Sequence, residues 1–471
     1  MKLLINFFLS IFVFCLLLVS CKKDTFITSS DASVNITRDS IKFDTVFTSA
    51  GSVTKSFKII NENNQKLRLS KVKLMGGPTS SFKININGNP TDEEDNIEVA
   101  ANDSIYVFVS VFINPTTANL PFIISDSILI NYNGNDRFVQ LEAYGQNAHF
   151  LNNVVLTGNN VWPNDLPYVI LGSIRVDTTA SLLIEAGCKI YAHANAPILI
   201  DGTLIVAGTK GNEVQFAGDR LDNYYKDLPA SWPGIYFRGS SIDNDITFAI
   251  IKNANRGIDI EDPSSNGNPK LSMHQCIIDN AFEAGLYTYN SSVNADNTLI
   301  TNCGNNIFIE YGGVYSFTNC TVACYSNTYL LHTNPVLQAT DATTQNDGST
   351  ITTDLNASFI NCIFWGDYGD VDDEVLIDKV GNNIYNVNIE NCIYKAVNDP
   401  VNAVLTSSIA NQDPLFDSVD VSNKYYDFRT TKNVSAPGIN TGTNIATFPT
   451  DLDNNPRNAG GTVDIGSYEK Q

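Results

Sequence analysis

Five segments in the second half of the chain repeat one order of residues: an amide, a small or sulfur-bearing residue, and two largely apolar residues. They lie at 275–278, 297–300, 319–322, 361–364 and 391–394. The small positions form a column that starts one repeat earlier, and its members are Ala249, Cys276, Thr298, Cys320, Cys362 and Cys392. The steps along it are 27, 22, 22, 42 and 30 residues. A step near 22 residues is typical of stacked coils that bury their faces against their neighbours. The pattern predicts a parallel β-helix.

A second column follows the first by five residues and contains Ala254, Ala281 and Cys303. An asparagine precedes each member, at Asn253, Asn280 and Asn302. Asparagine tolerates the left-handed backbone that a tight corner needs, and stacked amides can hydrogen-bond along the axis of a solenoid. We therefore interpret these asparagines as a structural ladder rather than a ligand site.

Two further stretches predict strands. Residues 172–237 hold short apolar runs separated by glycine turns, as in the opening coils of a β-helix. Residues 41–146 alternate between apolar and polar positions, broken by turns such as 63–64, 76–78, 87–88 and 133–134. About seven strands over roughly 110 residues fit a β-sandwich.

Three insertions interrupt the repeat, at 219–231, 338–353 and 367–374. The second is rich in Thr, Asp, Gln and Ser and shows no periodicity, which predicts an exposed loop. Insertions in solenoids usually project from one face, which is often the binding face.

The coil pattern resembles the pectin-lyase-like right-handed β-helix superfamily, which implies a fold but no single activity, since it holds lyases, hydrolases, adhesins and inert scaffolds. The segments 43–47, 103–107 and 133–134 resemble the immunoglobulin-like domain of Bacteroidota surface lipoproteins. The tail from Asp451 to Glu469 resembles the end motif of the choice-of-anchor Q family, which implies a cap over the last coil.

The first residues have the pattern of a targeting signal. Lys2 precedes an apolar run that ends in Leu18-Val19-Ser20-Cys21, which resembles a bacterial lipobox. That resemblance implies cleavage before Cys21, lipid on its sulfur, and anchoring in an outer membrane with exposure at the cell surface. Lys23-Asp24 is similar to a short surface-export tag of Bacteroidota lipoproteins. An ordinary secretory signal with an incidental cysteine is the alternative.

Together these features predict an all-β chain: an N-terminal β-sandwich followed by a right-handed parallel β-helix. The expected divisions are a signal peptide at 1–20, a lipidated tether at 21–34, an immunoglobulin-like sandwich at 35–147, a β-helix at 148–440 and a cap motif at 441–471.

Composition limits the classes of partner that we expect and the chemistry of the cysteines. The net charge of −21 argues against nucleic acid as a partner. Of nine cysteines, seven follow Cys21, and no CxxC or Cys/His cluster has zinc-finger spacing. We expect most of them to be small core residues of the stack.

Catalysis on a β-helix would need charged groups from neighbouring coils on one outward face. Lys252 and Arg256 lie in one coil, and Asp279 and Glu283 hold the same register in the next. They could form half of a lyase site, in which a base acts beside carboxylates. Two surface ion pairs are the alternative.

Two other groups are candidates for ligands. The acidic run Asp367, Asp370, Asp372, Asp373 and Glu374 offers oxygen ligands that suit calcium but lacks the order of an EF-hand loop, so a solvated acidic loop is the alternative. Tyr224 and Tyr225 could stack on sugar rings. No cofactor is otherwise indicated.

The sequence therefore favours a non-catalytic envelope scaffold that binds glycan or a cell-surface protein. The competing hypothesis is a polysaccharide lyase or glycoside hydrolase that acts on an acidic polysaccharide.

Overall fold

The computed structural model describes residues 25–47, 51–114, 122–222, 225–430, 432, 435–457 and 461–471. The chain forms two compact units that divide between Asn147 and Ala148. Within the described residues every regular element is a strand, apart from one 3-10 turn at Gly77–Thr79. None of the described residues forms a helix long and apolar enough to span a membrane.

The first unit is a sandwich of two sheets around one apolar core. Alternation along its strands, as in Ser104–Val111, places every second side chain inside. One sheet contains Phe26–Ile27, Ser40–Phe47, Lys66–Leu74, Glu93–Val99, Phe122–Tyr132 and Asn135–Gln146. The other contains Val34–Ile36, Lys55–Asn61, Phe82–Ile86, Asn89–Pro90 and Ser104–Val111. The structure thus confirms the expected sandwich but has eleven strands where about seven were expected.

The second unit is a parallel β-helix whose coils each contribute strands to three faces. Face A is a sheet of eleven parallel strands. Its members are His149–Leu151, Tyr168–Ile170, Lys189–Ala192, Val214–Gly218, Ala249–Lys252, Ile277–Asp279, Leu299–Thr301, Thr321–Tyr325, Ile363–Asp367, Ile393–Tyr394 and Ile409–Ala410. The predicted β-helix is therefore confirmed.

Faces B and C share a second, seventeen-stranded sheet. Face B holds Val154–Leu156, Ile174–Val176, Ile198–Ile200, Ile235–Phe237, Arg256–Glu261, Leu337–Thr340 and Val375–Asp378. Face C holds Asn159–Trp162, Ser181–Glu185, Thr203–Ala207, Asn244–Thr247, Leu271–His274, Leu355–Ile360, Tyr385–Glu390 and Val404–Thr406. Two long strands, Ala284–Asp296 and Ile307–Thr318, run through both faces.

Amides form the corners on both sides of face A. The five amides that precede the first column, Gln275, Asn297, Asn319, Asn361 and Asn391, all have positive φ between 47° and 54°. Asn253, Asn280 and Asn302 turn the chain from face A to face B with φ of 61°, 59° and 53°. Left-handed backbone is costly for most residues but tolerated by asparagine, which explains why asparagine stands at seven of these eight corners.

The first column points inward as predicted. Cys276, Cys320, Cys362 and Cys392 are buried and not in disulfides. Successive members are in contact: the backbone N–H of Cys362 donates to Sγ of Cys392 at 3.2 Å. Burial raises the pKa of the Cys276 thiol to about 12 and raises the pKa of Cys320 and Cys362 further above the usual range. The cysteines are therefore core residues.

The C-terminal tail lies along face A, which differs from the expected cap over the last coil. Arg457 donates two hydrogen bonds to Oδ1 of Asn297, at 2.9 and 2.6 Å, and Lys210 reaches Asp453 at 2.8 Å. The outward apolar residues of face A pack on the tail in one cluster that includes Leu299, Ala323, Ile363, Trp365, Ile393, Leu452, Ile465 and Tyr468. At strands such as Leu299–Thr301 and Thr321–Tyr325, consecutive positions are buried because the tail covers the outer side of the sheet.

The insertion at 338–353 is ordered rather than an irregular loop. Its first residues complete the face B strand Leu337–Thr340, and the rest forms a hairpin of Ala342–Thr344 and Thr350–Thr352. A second hairpin, Ser418–Asp420 with Tyr425–Asp427, precedes the tail. Short polar hairpins of this kind carry no hydrophobic period, so the sequence pattern did not reveal them.

Candidate functional site

A cavity of about 220 Å³ opens at the corner between faces A and B. We call it the amide cavity because five asparagines line it. The full lining is Asp227, Lys252, Asn253, Asp279, Asn280, Asn302, Asn327, Tyr329, Asn423, Lys424 and Tyr426. Its floor is the asparagine ladder of three successive coils. Its walls come from three separate segments: the insertion at 219–231, the loop at 326–336 and the hairpin at 418–427.

Two of the predicted charged residues lie in this cavity. Lys252 and Asp279 are register partners on adjacent strands, and Nζ of Lys252 is 3.4 Å from the Asp279 carboxylate. Asp279 also accepts hydrogen bonds from Oγ1 of Thr301 at 3.0 Å and Nδ2 of Asn302 at 3.4 Å. Three donors thus fix the carboxylate, and it in turn positions the lysine at the cavity wall.

Some of the amide groups are engaged within the protein. Nδ2 of Asn280 donates to Oδ1 of Asn253 at 2.7 Å and to the Asp227 carbonyl at 3.0 Å. Oδ1 of Asn327 accepts two backbone N–H groups, and Nδ2 of Asn423 donates to Asp420 at 2.7 Å. These bonds fix each amide in one orientation.

The opposite ends of the same amides have no protein partner among the described residues. They are Oδ1 of Asn280, Nδ2 of Asn327 and Oδ1 of Asn423. Two acceptors and one donor therefore remain for a ligand, held by side chains whose other ends are fixed.

The phenol of Tyr426 is the least satisfied group in the cavity. Its hydroxyl oxygen is buried and has no hydrogen-bond partner among the described residues. Burial, followed by nearby carboxylates, raises the pKa of Tyr426 to about 12, so the hydroxyl remains a donor. Buried polar groups without partners are rare in native proteins and each calls for an explanation. A ligand hydroxyl would supply the missing bond.

The other predicted pair lies in a separate group of contacts on face B. Arg256 bridges Glu283 of the next coil and Asp259 of its own strand, with 2.7 Å between Nη1 and the Asp259 carboxylate. Its guanidinium also lies over the ring of Tyr287, 4.1 Å from the centroid. The sequence predicted Arg256 and Glu283 together, but it missed Asp259 because that residue is three positions further along the same strand.

The pKa shifts within this group limit the reactions that it can carry out. Burial would lower the pKa of Arg256, but the hydrogen bonds and charges of Glu283 and Asp259 outweigh it and the pKa rises. Burial raises the pKa of Asp259, whereas the bond from Arg256 lowers that of Glu283. A guanidinium held between two carboxylates remains protonated, so it cannot act as the base of a lyase.

One buried charged group, Lys270, was not identified from the sequence. Lys270 is fully buried, and its Nζ donates to the carbonyls of Arg238, Gly239 and Glu261 at 3.1, 2.9 and 2.6 Å. Burial lowers the pKa of Lys270 to about 8. Its three carbonyl partners make it a brace for the turn between faces B and C rather than an accessible base. Backbone carbonyls carry no sequence signal, so this role could not be predicted.

The acidic run is not a single solvated loop. Glu374 is fully buried, and its Oε1 lies 2.8 Å from Nε2 of the buried His332. Asp373 accepts the backbone N–H groups of Val397 and Asn398, and Asp367 lies 3.5 Å from Lys395. These contacts do not bring Asp370 and Asp372 together as a pair of metal ligands. Across the described residues, no group of three or more His, Cys, Asp or Glu side chains is arranged to hold a metal ion.

Of the remaining candidates, only Tyr225 lies among the residues that the structure describes. Tyr225 carries the Arg220 guanidinium over its ring at 3.7 Å, so that face of the ring is covered. Tyr224 and Cys21 lie outside the described residues. The insertion that holds the two tyrosines nevertheless contributes Asp227 to the amide cavity.

Comparison with known proteins gives few relatives. No protein-family model matches the chain, and no curated protein matches it. One solved structure with partial likeness is a family 123 glycoside hydrolase from Clostridium perfringens, studied for glycolipid glycan hydrolysis. The identity is 10%, the TM-score is 0.18, and the match covers 24% of this chain and 26% of the hydrolase. The chain thus spans about a quarter of that protein's length, and a likeness this partial gives no basis for transferring its activity.

Proposed function

We propose that this protein is a non-catalytic envelope scaffold whose β-helix binds a glycan in the amide cavity. The observation that carries the proposal is the unpartnered, buried hydroxyl of Tyr426, a residue that lines the same cavity as three half-satisfied asparagine amides. Binding sites typically combine apolar or aromatic walls with a few fixed polar groups, and this cavity does so at the corner of a rigid solenoid.

A sugar matches the chemistry of the cavity better than other ligand classes. Each sugar hydroxyl is both a donor and an acceptor, so it can pair with Oδ1 of Asn280 or Asn423 and with Nδ2 of Asn327. Nζ of Lys424 covers one face of the Tyr329 ring at 3.7 Å, and the Tyr426 ring stacks on Phe428 with centroids 5.8 Å apart, so each tyrosine offers at most one ring face to a pyranose. The lining charges balance, with Lys252 and Lys424 opposite Asp227 and Asp279, so no net charge is demanded of the ligand.

One observation favours the enzyme alternative, a lyase or glycoside hydrolase. The pKa of Asp259 is raised while that of nearby Glu283 is lowered, which is the kind of separation found in acid–base pairs. Against it, Arg256 contacts both carboxylates, and the Asp259 side chain is only 5% exposed. A general acid must reach the glycosidic oxygen, and a buried, ion-paired Asp259 does not.

The cellular setting is also a proposal. The segment Leu18-Val19-Ser20-Cys21 supports lipidation at Cys21 and anchoring in an outer membrane, with the β-helix at the cell surface. In that setting the partner is a polysaccharide or a surface protein. Replacing Cys21 by Ser should give unprocessed or soluble protein; a variant that still carries lipid and stays with the membrane would refute the anchor.

Binding and turnover should be measured together on the same samples. We expect at least one oligosaccharide hexamer from a panel of glucan, mannan, xylan and polygalacturonate to bind the full chain in calorimetry. Chromatography of the same mixtures after a day should show intact hexamer. Release of shorter or ultraviolet-absorbing products from any of them would favour the enzyme alternative, and failure of all hexamers to bind would contradict the proposal.

A further inference from the structure

A second cleft lies on face B, beneath the hairpin Ala342–Thr344 and Thr350–Thr352. Oγ1 of Thr343 donates to Oε1 of Glu310 at 2.6 Å, and the other carboxylate oxygen accepts from the hydroxyl of Tyr287, also at 2.6 Å. Glu310 therefore ties the hairpin to the sheet. The open cleft beside it has a volume of about 610 Å³ and is lined by Tyr289, Thr343, Thr344, Gln345, Asn346 and Asp347.

Tyr289 forms the sheet side of the cleft, and Tyr311 packs against its ring from the adjacent strand. The rings of Tyr289 and Tyr311, on adjacent strands, have centroids 5.2 Å apart and are tilted by 41°. Both side chains are partly exposed. Tyr289, supported by Tyr311, presents aromatic surface opposite the hydroxyls and amides of the hairpin, which is a suitable arrangement for a ligand with one apolar and one polar side.

Tyr311 is held in an unfavourable backbone conformation. Its φ is 61°, in the left-handed region that a bulky residue rarely adopts. At the equivalent position of the two preceding coils the residue with positive φ is Asp262 or Asn290. An asparagine or glycine would therefore fit the backbone at 311 better than tyrosine does. Strain of this kind is concentrated at functional sites, which points to a role for the ring itself.

The charge around the cleft limits the ligand. Asp347 lines it, Glu310 lies at its base, and Glu261 is the register partner of Tyr289 on the adjacent strand. No basic residue is among the lining residues. The second unit as a whole, residues 148–471, has 36 acidic and 16 basic residues. This field repels uronates, sulfates and phosphates.

We propose that the cleft under this hairpin is a second carbohydrate site, specific for uncharged pyranose rings that stack on Tyr289, whose ring Tyr311 supports from the adjacent strand. The hairpin hydroxyls and amides orient the ring, and the surrounding carboxylates exclude acidic sugars. The site shares no lining residue with the amide cavity, so ligand binding at the two sites can be tested independently.

The test uses the full chain and neutral hexamers of β-1,4-linked glucose, mannose and xylose, with the galacturonate hexamer as the acidic probe. Tyr289→Ala should weaken binding of the preferred neutral hexamer at this site at least tenfold. Tyr311→Asn should weaken it as well, yet raise Tm by about 2 °C because the backbone strain is relieved. Tyr426→Phe, in the amide cavity, should leave this binding event unchanged.

Three results would overturn the inference. One is a Tyr311→Asn variant with lower Tm and unchanged binding, which would make the tyrosine structural. Another is tighter binding of the galacturonate hexamer than of every neutral hexamer. The last is binding that is lost with Tyr426→Phe and retained with Tyr289→Ala, which would place the only sugar site in the amide cavity.

Discussion

The side-chain amide of Asn280 donates a 2.7 Å hydrogen bond to Oδ1 of Asn253, one coil earlier, and both residues have positive φ. The pair joins two coils at the corner between faces A and B and forms part of the floor of the amide cavity. The same residues thus make the turn, link the coils along the axis and present a fixed polar surface. The proposed binding site is therefore built on amides whose orientation is fixed by the corner of the β-helix.

Substitutions at Asn280 should separate backbone strain from the lost hydrogen bond. Glycine keeps the left-handed backbone but loses the ladder bond, which costs about 1 kcal/mol. Alanine loses the bond and adds strain of roughly 1–2 kcal/mol. We expect Asn280→Ala to be the less stable variant. Urea unfolding followed by tryptophan fluorescence reports on the β-helix alone, because Trp162, Trp232 and Trp365 all lie in it.

The control for this comparison is Asn294→Ala, which changes an exposed strand residue and should alter stability by less than about 0.5 kcal/mol. Equal stability of the Gly and Ala variants at position 280 would contradict the account of the corner.

Removal of Arg457 should release the tail from face A. This guanidinium is buried and bonds to Asn297, to the carbonyls of Asp464 and Gly466, and to Glu469 at 3.4 Å. Arg457→Met leaves Glu469 buried without its charge partner, at a cost of about 3 kcal/mol. Limited proteolysis should cut the variant within 441–471, and dye binding should report the uncovered apolar residues of face A.

Lys470→Ala changes a partly exposed side chain near the end of the same tail, so it should behave like the parent chain in both assays. Protease resistance of the Arg457→Met tail equal to that of the parent would show that the apolar contacts alone hold it.

The buried cysteines should be inert in the native protein. A thiol reacts as its thiolate, and burial raises the pKa of Cys276 to about 12 and that of Cys320 and Cys362 well above the usual range. Mass spectrometry after native alkylation should find these residues and Cys392 largely unmodified, and then modified in non-reducing denaturant. Prompt native labelling would show that the column does not pack as described.

His274 should give the β-helix a pH-dependent contribution to stability. The hydrogen bond with Asp245, then that with Asp296, raises the pKa of His274 to about 10. Because this is above the ordinary value of about 6.5, the stabilisation is complete below about pH 6.5 and is lost as pH rises toward 10. The stability difference between the parent and His274→Gln should therefore shrink between pH 6 and 10; a constant difference would contradict the ion-pair assignment.

The repeating part of the fold could be predicted from the sequence. The placement of the segments that cover it, such as the C-terminal tail, could not. Corner asparagines and inward cysteines recur every coil, so columns in the sequence predict their register. The register also predicted the contact between Lys252 and Asp279. By contrast, Arg457 meets Asn297 across 160 residues, and no repeat links them. The tail could therefore be recognised as a separate motif but not placed along face A.

The amide cavity likewise combines residues that the repeat predicted with residues that it did not. Asn253, Asn280 and Asn302 were identified from their spacing and interpreted as structural, which their positive φ and mutual hydrogen bond support. Asn327, Asn423 and Tyr426 come from loops outside the repeat and complete the site only in three dimensions. Short polar loops are placed by tertiary contacts rather than by hydrophobic periodicity, so their role could not be read in advance.

The most direct test of the central claim is Tyr426→Phe, measured for both Tm and affinity toward the hexamer that the parent chain binds in the amide cavity. The account predicts an unchanged or higher Tm, because an unsatisfied buried hydroxyl is removed, together with at least fivefold weaker binding. Tyr315→Phe is the matched control: its hydroxyl bonds to Thr288, Ser291 and Gly312, so it should lower Tm and leave binding unchanged. A Tyr426→Phe variant with lower Tm and parental affinity would contradict a ligand site at this tyrosine.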